Sequence, residues 1–366
     1  MQPWKPIPMI WPDIHPSFRL NGHVFDSSAL VGFAHSWIKK GNYFEKDIGQ
    51  FLLDWLSSSE FITVKTSGST GKPKQIELRK EFMVNSALAT RRYFDLQPAQ
   101  TALLCLSSKF IAGKMMLVRA MVLGLELNAL EPSSKPLQHN SKQYDFAAMV
   151  PMQVSNSVKE LNNVKKLIVG GAPISIALKE RLRQCKTRVY ETYGMTETIT
   201  HIAAREISKN ASNFVESNFE VLPNISISKD DRGCLVIDAP LISEEQVVTN
   251  DLVELTGSNE FRWLGRWDTI INSGGIKLIP EEIERKLSAV ISNRFFVTGI
   301  SDAVLGQKLV LLVEGTEIPN LNETIASIGS VSKFEISKAI YYSPKFVETG
   351  SGKINRIKTL KENNLS

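Results

Sequence analysis

Leu167-Ile168-Val169-Gly170-Gly171-Ala172-Pro173, then Ile174–Gln184, then Arg188-Val189-Tyr190-Glu191-Thr192-Tyr193-Gly194-Met195-Thr196-Glu197 form one alternating unit. A short apolar run ends in a glycine-bearing loop, a helix-like segment follows, and a second run ends in another such loop. Strands that alternate with helices predict a parallel sheet covered on both faces. The alternation extends upstream: Ala102–Leu106 and Phe146–Val150 read as strands, and Gly113–Leu123 and Gln153–Leu161 as helices. Ligands of such sheets sit beyond the carboxyl ends of the strands, and both loops fall there. Either loop alone reads as a plain turn; two in succession predict a shared pocket.

Further out, Ser27–Ile38 and Lys46–Leu56 read as amphipathic helices, with Ile48, Phe51, Leu52 and Trp55 at helical spacing. Phe61–Lys65 and Gln75–Leu78 read as strands around a polar loop, and Glu81–Phe94 as a helix. Residues 219–264 alternate like a small β subdomain, with turn signals at Asp231-Arg232-Gly233 and Gly257-Ser258-Asn259. Pro280 with Glu281 and Glu282 opens a helix, since proline suits the first turn and acids its positive end. Strands near Phe296–Ile300, Leu309–Val313 and Ala339–Tyr342 complete a compact unit. The expected class is α/β. A large N-terminal domain over 1–267, with a doubly wound, mostly parallel sheet plus the β subdomain, precedes a small α+β C-terminal domain over 268–366.

The 366 residues carry 43 Lys and Arg against 38 Asp and Glu, a net charge of +5 with the signs interspersed. That does not mark a nucleic-acid binder, and it suits an anionic small molecule. Cys105, Cys185 and Cys234 form no CxxC pair, so a reducing cytoplasm is expected. His15, His23, His35, His139 and His201 never fall at zinc-binding spacing. No apolar run is long enough to span a membrane or to resemble a signal peptide. A homodimer is left open.

Thr66-Ser67-Gly68-Ser69-Thr70-Gly71-Lys72-Pro73-Lys74 exposes backbone N–H groups, hydroxyls and cations in series, a cradle for phosphate or, read plainly, a surface turn. It is not a Walker A loop. The Gly68–Lys72 spacing is short, and Pro73 stands where Ser or Thr would hold magnesium.

Five further segments follow in order. They are Tyr193-Gly194-Met195-Thr196-Glu197; Asp251, preceded by Asn250; Gly265-Arg266-Trp267-Asp268; Ser273-Gly274-Gly275-Ile276-Lys277 running on to Glu284; and Ser351-Gly352-Lys353-Ile354-Asn355-Arg356. Together with Thr66–Lys74 they resemble the motifs of the acyl-adenylate-forming superfamily, which joins a carboxylic acid to AMP and then passes the acyl group to a thiol. Asn250 departs from the glycine usual there.

The resemblance implies ATP, Mg2+ and CoA as reactants. It casts Thr66, Ser67, Gly68, Ser69, Thr70, Gly71 and Lys72 as the phosphate loop, and Lys353 as the catalytic cation between carboxylate and α-phosphate. Glu197 would be the metal ligand and Thr196 a phosphate contact; read plainly, Glu197 is a charge at a helix start. Gly171, Ala172, Pro173, Glu191, Thr192, Tyr193 and Gly194 would frame the adenine, and Asp251 and Arg266 would hold the ribose. Asp268 would be the hinge of a mobile C-terminal domain, and Gly274 and Gly275 would let a pantetheine arm pass.

The N-terminal lobe is abbreviated relative to longer members. Short chains of this sort resemble the o-succinylbenzoate–CoA ligases of menaquinone synthesis, above all at Phe110-Ile111-Ala112-Gly113-Lys114-Met115-Met116-Leu117-Val118-Arg119, where Ala112 replaces a serine. A substrate with a second carboxylate calls for a buried cation. Arg119 is the first candidate and Lys114 the second, beside Gly113, Thr198 and Thr200. The plain alternative is an Arg119 paired with an internal acid. Another acyl or aryl acid, a carrier-protein thiol, or a non-catalytic adenylate binder are the rival functions.

Overall fold

The computed structural model describes residues 13–65, 75–207, 217–348 and 354–365. Two compact units emerge: residues 1–226 with 237–247, and residues 227–236 with 248–366.

The first unit begins with β1 (Arg19–Leu20), β2 (His23–Val24), α1 (Ser27–Lys40) and α2 (Tyr43–Leu56). Helix α2 starts upstream of its apolar stripe because Asn42 and Glu45 form a reciprocal cap: the Glu45 amide donates to Asn42 Oδ1 at 3.1 Å and the Asn42 amide to Glu45 Oε2 at 2.9 Å. Then come β3 (Phe61–Lys65), β4 (Gln75–Arg79), α3 (Lys80–Phe94), β5 (Thr101–Leu104), α4 (Ile111–Leu123), β6 (Glu126–Ala129), β7 (Tyr144–Met149) and α5 (Pro151–Asn156). After them run β8 (Val164–Val169), α6 (Ile176–Arg183), β9 (Arg188–Gly194), β10 (His201–Glu206) and β11 (Phe219–Val221).

In space the strands of this unit lie in the order β11-β10-β9-β8-β7-β5-β6-β1-β2. From β9 to β1 every pair is parallel, while β10 and β2 pair antiparallel at the flanks. The expected doubly wound, mostly parallel sheet is therefore present. Its direction of winding reverses between β5 and β7, the kind of place where a crevice opens beyond the strand ends. Gln153 ties that region together, donating from Nε2 to the Cys105 and Ser133 carbonyls at 2.9 Å each.

One side of the sheet packs Leu103, Ala147, Met149, Leu167 and Val169 against Val154, Leu178 and Leu182 of the covering helices. Burying a side chain of that size contributes about 1.5–3 kcal/mol. Helix α4 is apolar all round and almost wholly buried, as befits a helix covered on all sides. It stops at Gly124, whose φ of +73° is the left-handed cap that glycine takes without strain. The helix expected over Gln153–Leu161 is broken instead. Helix α5 ends at Asn156, Ser157 adopts φ −121° and ψ 14°, and a 3-10 turn runs over Val158–Asn163.

Strands β12 (Ser226–Lys229), β13 (Cys234–Asp238), β14 (Val247–Gly257) and β15 (Glu260–Arg266), which belong to the second unit apart from Ser226, Ile237, Asp238 and Val247, lie side by side in that order. Then follow β16 (Ile271–Ser273), β17 (Ile276–Leu278), α7 (Pro280–Leu287), β18 (Phe295–Asp302), β19 (Gly306–Glu314), α8 (Leu321–Ala326), β20 (Ala339–Ser343) and α9 (Arg356–Glu362). Strands β17-β16-β19-β18, with β20 also paired to β19, form a small sheet. Ile283 and Leu287 of α7 pack against Val297, Leu309 and Leu311 of it. Among the described residues no helix is long and apolar enough to cross a membrane.

Candidate active site

Strand β8 ends beside the middle of β9, with Val169 opposite Glu191. Residues 170–174 leave β8 as a loop that β9 holds at both ends. At its entrance the Thr192 hydroxyl donates to the Val169 carbonyl at 3.1 Å. Gly170 allows this approach, because a Cβ there would lie 2.6 Å from Thr192 Oγ1. At its exit the Ile174 amide donates to Glu191 Oε1 at 3.2 Å. Gly171 turns the chain between them at φ +83°. The Glu191 carboxylate is buried, and Lys179 Nζ and Arg205 Nη2 lie 3.0 and 2.8 Å from its Oε2. Tyr193, half-buried, has its ring 6.0 Å from that of Phe219.

After Gly194 the chain makes a tight turn. Thr196–Thr198 form one 3-10 turn. The Thr198 hydroxyl is spent on the backbone: it accepts from the Met195 amide at 3.2 Å and lies 2.8 Å from the Thr200 carbonyl. Ile199, buried and β-branched, sits at φ 64° and ψ −58°, and the Thr200 amide closes the turn onto the Thr198 carbonyl at 2.6 Å. Such a conformation costs about 1–3 kcal/mol and collects at functional sites. The tightness also dictates Gly194, where a Cβ would lie 2.2 Å from the Thr200 carbonyl oxygen. The turn leaves Glu197 exposed. A free carboxylate oxygen is the hard donor that magnesium takes alongside phosphate and water, so Glu197 fits a metal that arrives with a nucleotide.

Arg119, on α4, is 1% exposed and reaches His201, the first residue of β10 after this turn. Its Nε donates to Thr90 Oγ1 at 3.3 Å, its Nη1 faces Met116 Sδ at 3.7 Å, and its Nη2 lies 3.4 Å from His201 Nδ1. Among the described residues no carboxylate pairs with it, so the internal acid of the plain alternative is absent there. Burial pushes the guanidinium down to about 9, so it remains a cation at neutral pH. Burial first, and then the Arg119 charge, hold His201 well below its usual range and therefore neutral. A neutral His201 accepting at Nδ1 carries its proton on Nε2, 3.5 Å from Thr90 Oγ1. The Thr90 hydroxyl in turn donates a hydrogen bond to the Ser86 carbonyl at 2.9 Å. The polar groups around Arg119 are thus oriented but bring no negative charge.

The other candidates on α4 part company with Arg119. Lys114 lies over the Phe51 ring of α2, 4.7 Å from its centroid. Gly113 is a packing glycine: a Cβ would stand 2.3 Å from the Ser107 carbonyl oxygen.

The second unit gathers the remaining described candidates. Asp251 and Arg266 are register partners on β14 and β15. Asp251 Oδ1 accepts from Trp263 Nε1 at 3.1 Å and lies 3.9 Å from Arg266 Nη1. Arg266 grips Asp268 through both carboxylate oxygens, at 2.9 and 3.0 Å. Gly274 and Gly275, at φ +58° and +82°, form the two-residue turn between β16 and β17. Two positive φ angles in succession are what such a hairpin needs. Near the C-terminus Ile354 bridges to Glu348. Arg356 Nη2 pairs with Glu284 Oε2 at 2.9 Å, and Asn355 caps α9. Thr66, Ser67, Gly68, Ser69, Thr70, Gly71, Lys72 and Lys353 lie outside the described residues. The β3 and β4 strands that flank the first of these groups pair with Lys65 opposite Gln75.

The sequence does not single out Thr90, Lys179, Arg205 or Trp263, and it brings up His201 only to exclude it as a zinc ligand. Each serves a residue that the sequence does single out, and only the packing of α3, α4, α6, β10 and β15 brings it there.

The pattern of the AMP-binding enzyme family matches residues 62–218. The chain is 24% identical over 340 residues to a 2-succinylbenzoate–CoA ligase of Enterococcus faecalis, across 81% of this chain and 68% of that protein. It is 26% identical over 366 residues to the ligase of the same name from Listeria innocua, across 92% and 77%. Among solved structures it resembles an AMP-forming acyl-CoA synthetase/AMP-acid ligase II-like protein from Dyadobacter fermentans, at 36% identity and TM-score 0.60, over 92% of this chain and 98% of that one. It shares its fold with an o-succinylbenzoate coenzyme A synthetase from Bacillus subtilis in complex with ATP and magnesium ion, at 20% identity and TM-score 0.70, over 81% and 69%.

Proposed function

The chain belongs to the AMP-binding enzyme family of adenylate-forming acid–CoA ligases, and we propose that its acid is an aryl compound bearing a second carboxylate, of the o-succinylbenzoate kind. The observation that carries this reading is Arg119: a buried cation without a described carboxylate partner. An uncompensated buried charge is costly unless something bound supplies the counter-charge. A neutral acyl chain cannot do so, whereas a second carboxylate can. The relatives that carry the succinylbenzoate name support the same choice.

In the proposed reaction the acid's reacting carboxylate attacks the α-phosphorus of ATP, giving acyl-AMP and pyrophosphate. The CoA thiol then displaces AMP from the acyl carbon and loses its proton. The approach of two anions is the electrostatic problem of the first step. Lys353 and the loop from Thr66 to Lys72 are assigned to neutralising it, Thr196 to a phosphate oxygen, and Glu197 to magnesium, which supplies further positive charge. Gly171, Ala172, Pro173, Thr192, Tyr193 and Gly194 are assigned to the adenine, Asp251 and Arg266 to the ribose, and Thr200 to the acyl group. Gly274 and Gly275 are assigned to the CoA arm.

Asp268 is assigned to a hinge between domains 1–267 and 268–366. Asp268→Pro fixes φ and so restrains the backbone there. Thioester formation is expected to slow more than adenylation; equal losses, measured on each half-reaction separately, speak against a hinge.

The acid assignment is tested by AMP release from ATP with a panel of acids, with and without CoA. Succinylbenzoate should give the highest kcat/KM and require CoA for a thioester product. Preference for a monocarboxylic aryl or fatty acid overturns the choice of acid while leaving the chemistry intact.

A further inference from the structure

We propose that Glu191 is a positioning residue for the nucleotide's base and does not itself contact that base. This rests on the reading that residues 170–174 frame the adenine, and it changes the part Glu191 plays in it.

The Glu191 carboxylate is buried and held by donors from three parts of the protein. Oε1 accepts from the Ile174 amide at 3.2 Å, the last residue of the loop before Ser175 caps α6. Oε2 accepts from Arg205 Nε at 2.9 Å and lies 3.0 Å from Lys179 Nζ. The three side chains are only 7%, 12% and 9% exposed for Glu191, Arg205 and Lys179. A charged network this buried is strong when complete and costly when one member is lost. Its three anchors come from three elements: Lys179 from α6, Arg205 from β10, where it is the register partner of Glu191, and Ile174 from the loop. The carboxylate therefore sets where the exit of the loop stands relative to β9.

The neighbouring Thr192 fixes the entrance through the Val169 carbonyl. Successive residues of a strand point to opposite faces, so the two pins act from different sides. Gly171 and Ala172 are suspended between them. Turning the carboxylate out toward the base would break these contacts, and each is a charge-assisted or backbone hydrogen bond in a dry setting. Fixing a binding loop in its bound position is a recognised source of affinity.

Glu191→Gln tests the assignment. The amide keeps one acceptor oxygen and gains an NH2 group, so either its NH2 faces the Lys179 and Arg205 donors or it faces the Ile174 N–H, and one of the two anchors is lost in both cases. Affinity for AMP, measured by titration calorimetry without any acid present, is expected to fall about tenfold, the consequence of one unsatisfied buried group. The preference for AMP over IMP is expected to fall with it, because base recognition is what the loop supplies. In the assayed reaction the KM for ATP should rise while the KM for the acid moves less than twofold. Lys179→Met, which leaves the pair with Arg205 in place, should fold even if Glu191→Gln does not, and should weaken AMP about threefold by the same argument.

Unchanged AMP affinity in a folded Glu191→Gln or Lys179→Met protein overturns the proposal while leaving the nucleotide site in place. An equal rise in the KM values of ATP and acid, with the AMP-to-IMP preference intact, also overturns it and leaves Glu191 a general support of the fold. Failure of the unaltered protein to bind AMP at all sinks the adenine reading itself, and this inference with it.

Discussion

Lys353→Ala is expected to lose at least about 100-fold in acyl-adenylate formation, the usual scale for removing one charge partner of a transition state. The reason is electrostatic. A carboxylate must approach a phosphate that already carries negative charge, and an ammonium group between them is worth most when water is excluded. The loss should be confined to that step: given preformed acyl-adenylate, the variant should still make thioester at a near-normal rate, because no second anion then has to be brought in. The fold should survive the change. The described residues on either side are anchored independently of the lysine, by the Glu348–Ile354 bridge, the Arg356–Glu284 pair and the Asn355 cap on α9. Stopped-flow measurement of each half-reaction checks this. Near-normal adenylation by the variant removes Lys353 from its role.

Arg119→Leu is expected to raise the KM for the acid about tenfold to a hundredfold and to leave the KM for ATP in place. That range corresponds to about 1.5–3 kcal/mol for a hydrogen bond to a charged group. Stability should move the other way or not at all. Leucine takes away a buried cation that Thr90, Met116 and a neutral His201 solvate without neutralising, and replacing buried charge with apolar bulk is often neutral or favourable. A higher or unchanged Tm together with a raised acid KM is the signature of a residue kept for its ligand. An unchanged acid KM with a lowered Tm would make Arg119 a structural residue.

The parallel core is legible because its strands are short apolar runs bounded by glycine and proline, and the segments between them are long enough for a helix, α4 being apolar throughout. His201–Glu206 escaped notice as a strand, since its apolar residues are few and its partner β9 reads as a loop motif from Glu191 onward. The break at Ser157 was hidden because apolar Val154, Val158 and Leu161 keep helical spacing across it.

At the site, sequence motifs placed residue types but not their partners. The family resemblance casts Glu191 among the residues that frame the adenine, and says nothing of what its carboxylate touches inside the protein. Its actual neighbours, Lys179 and Arg205, arrive through the packing of α6 and the register of β10. The resemblance at Phe110–Arg119 joins Gly113 to Arg119, and the need for a buried cation adds Lys114. A helix turns by roughly 100° per residue, and this one sends Lys114 to Phe51 and Arg119 to His201. His201 was weighed only as a metal ligand and set aside on spacing, and nothing local to it announces that it faces a guanidinium.

The exchange of labelled pyrophosphate into ATP, driven by magnesium and an added carboxylic acid, reports acyl-adenylate formation before any thiol is involved. Exchange that depends on the acid, is strongest with succinylbenzoate and collapses in Lys353→Ala is the predicted result. Purified, folded protein that binds ATP yet exchanges no label with any acid across a broad set would contradict it.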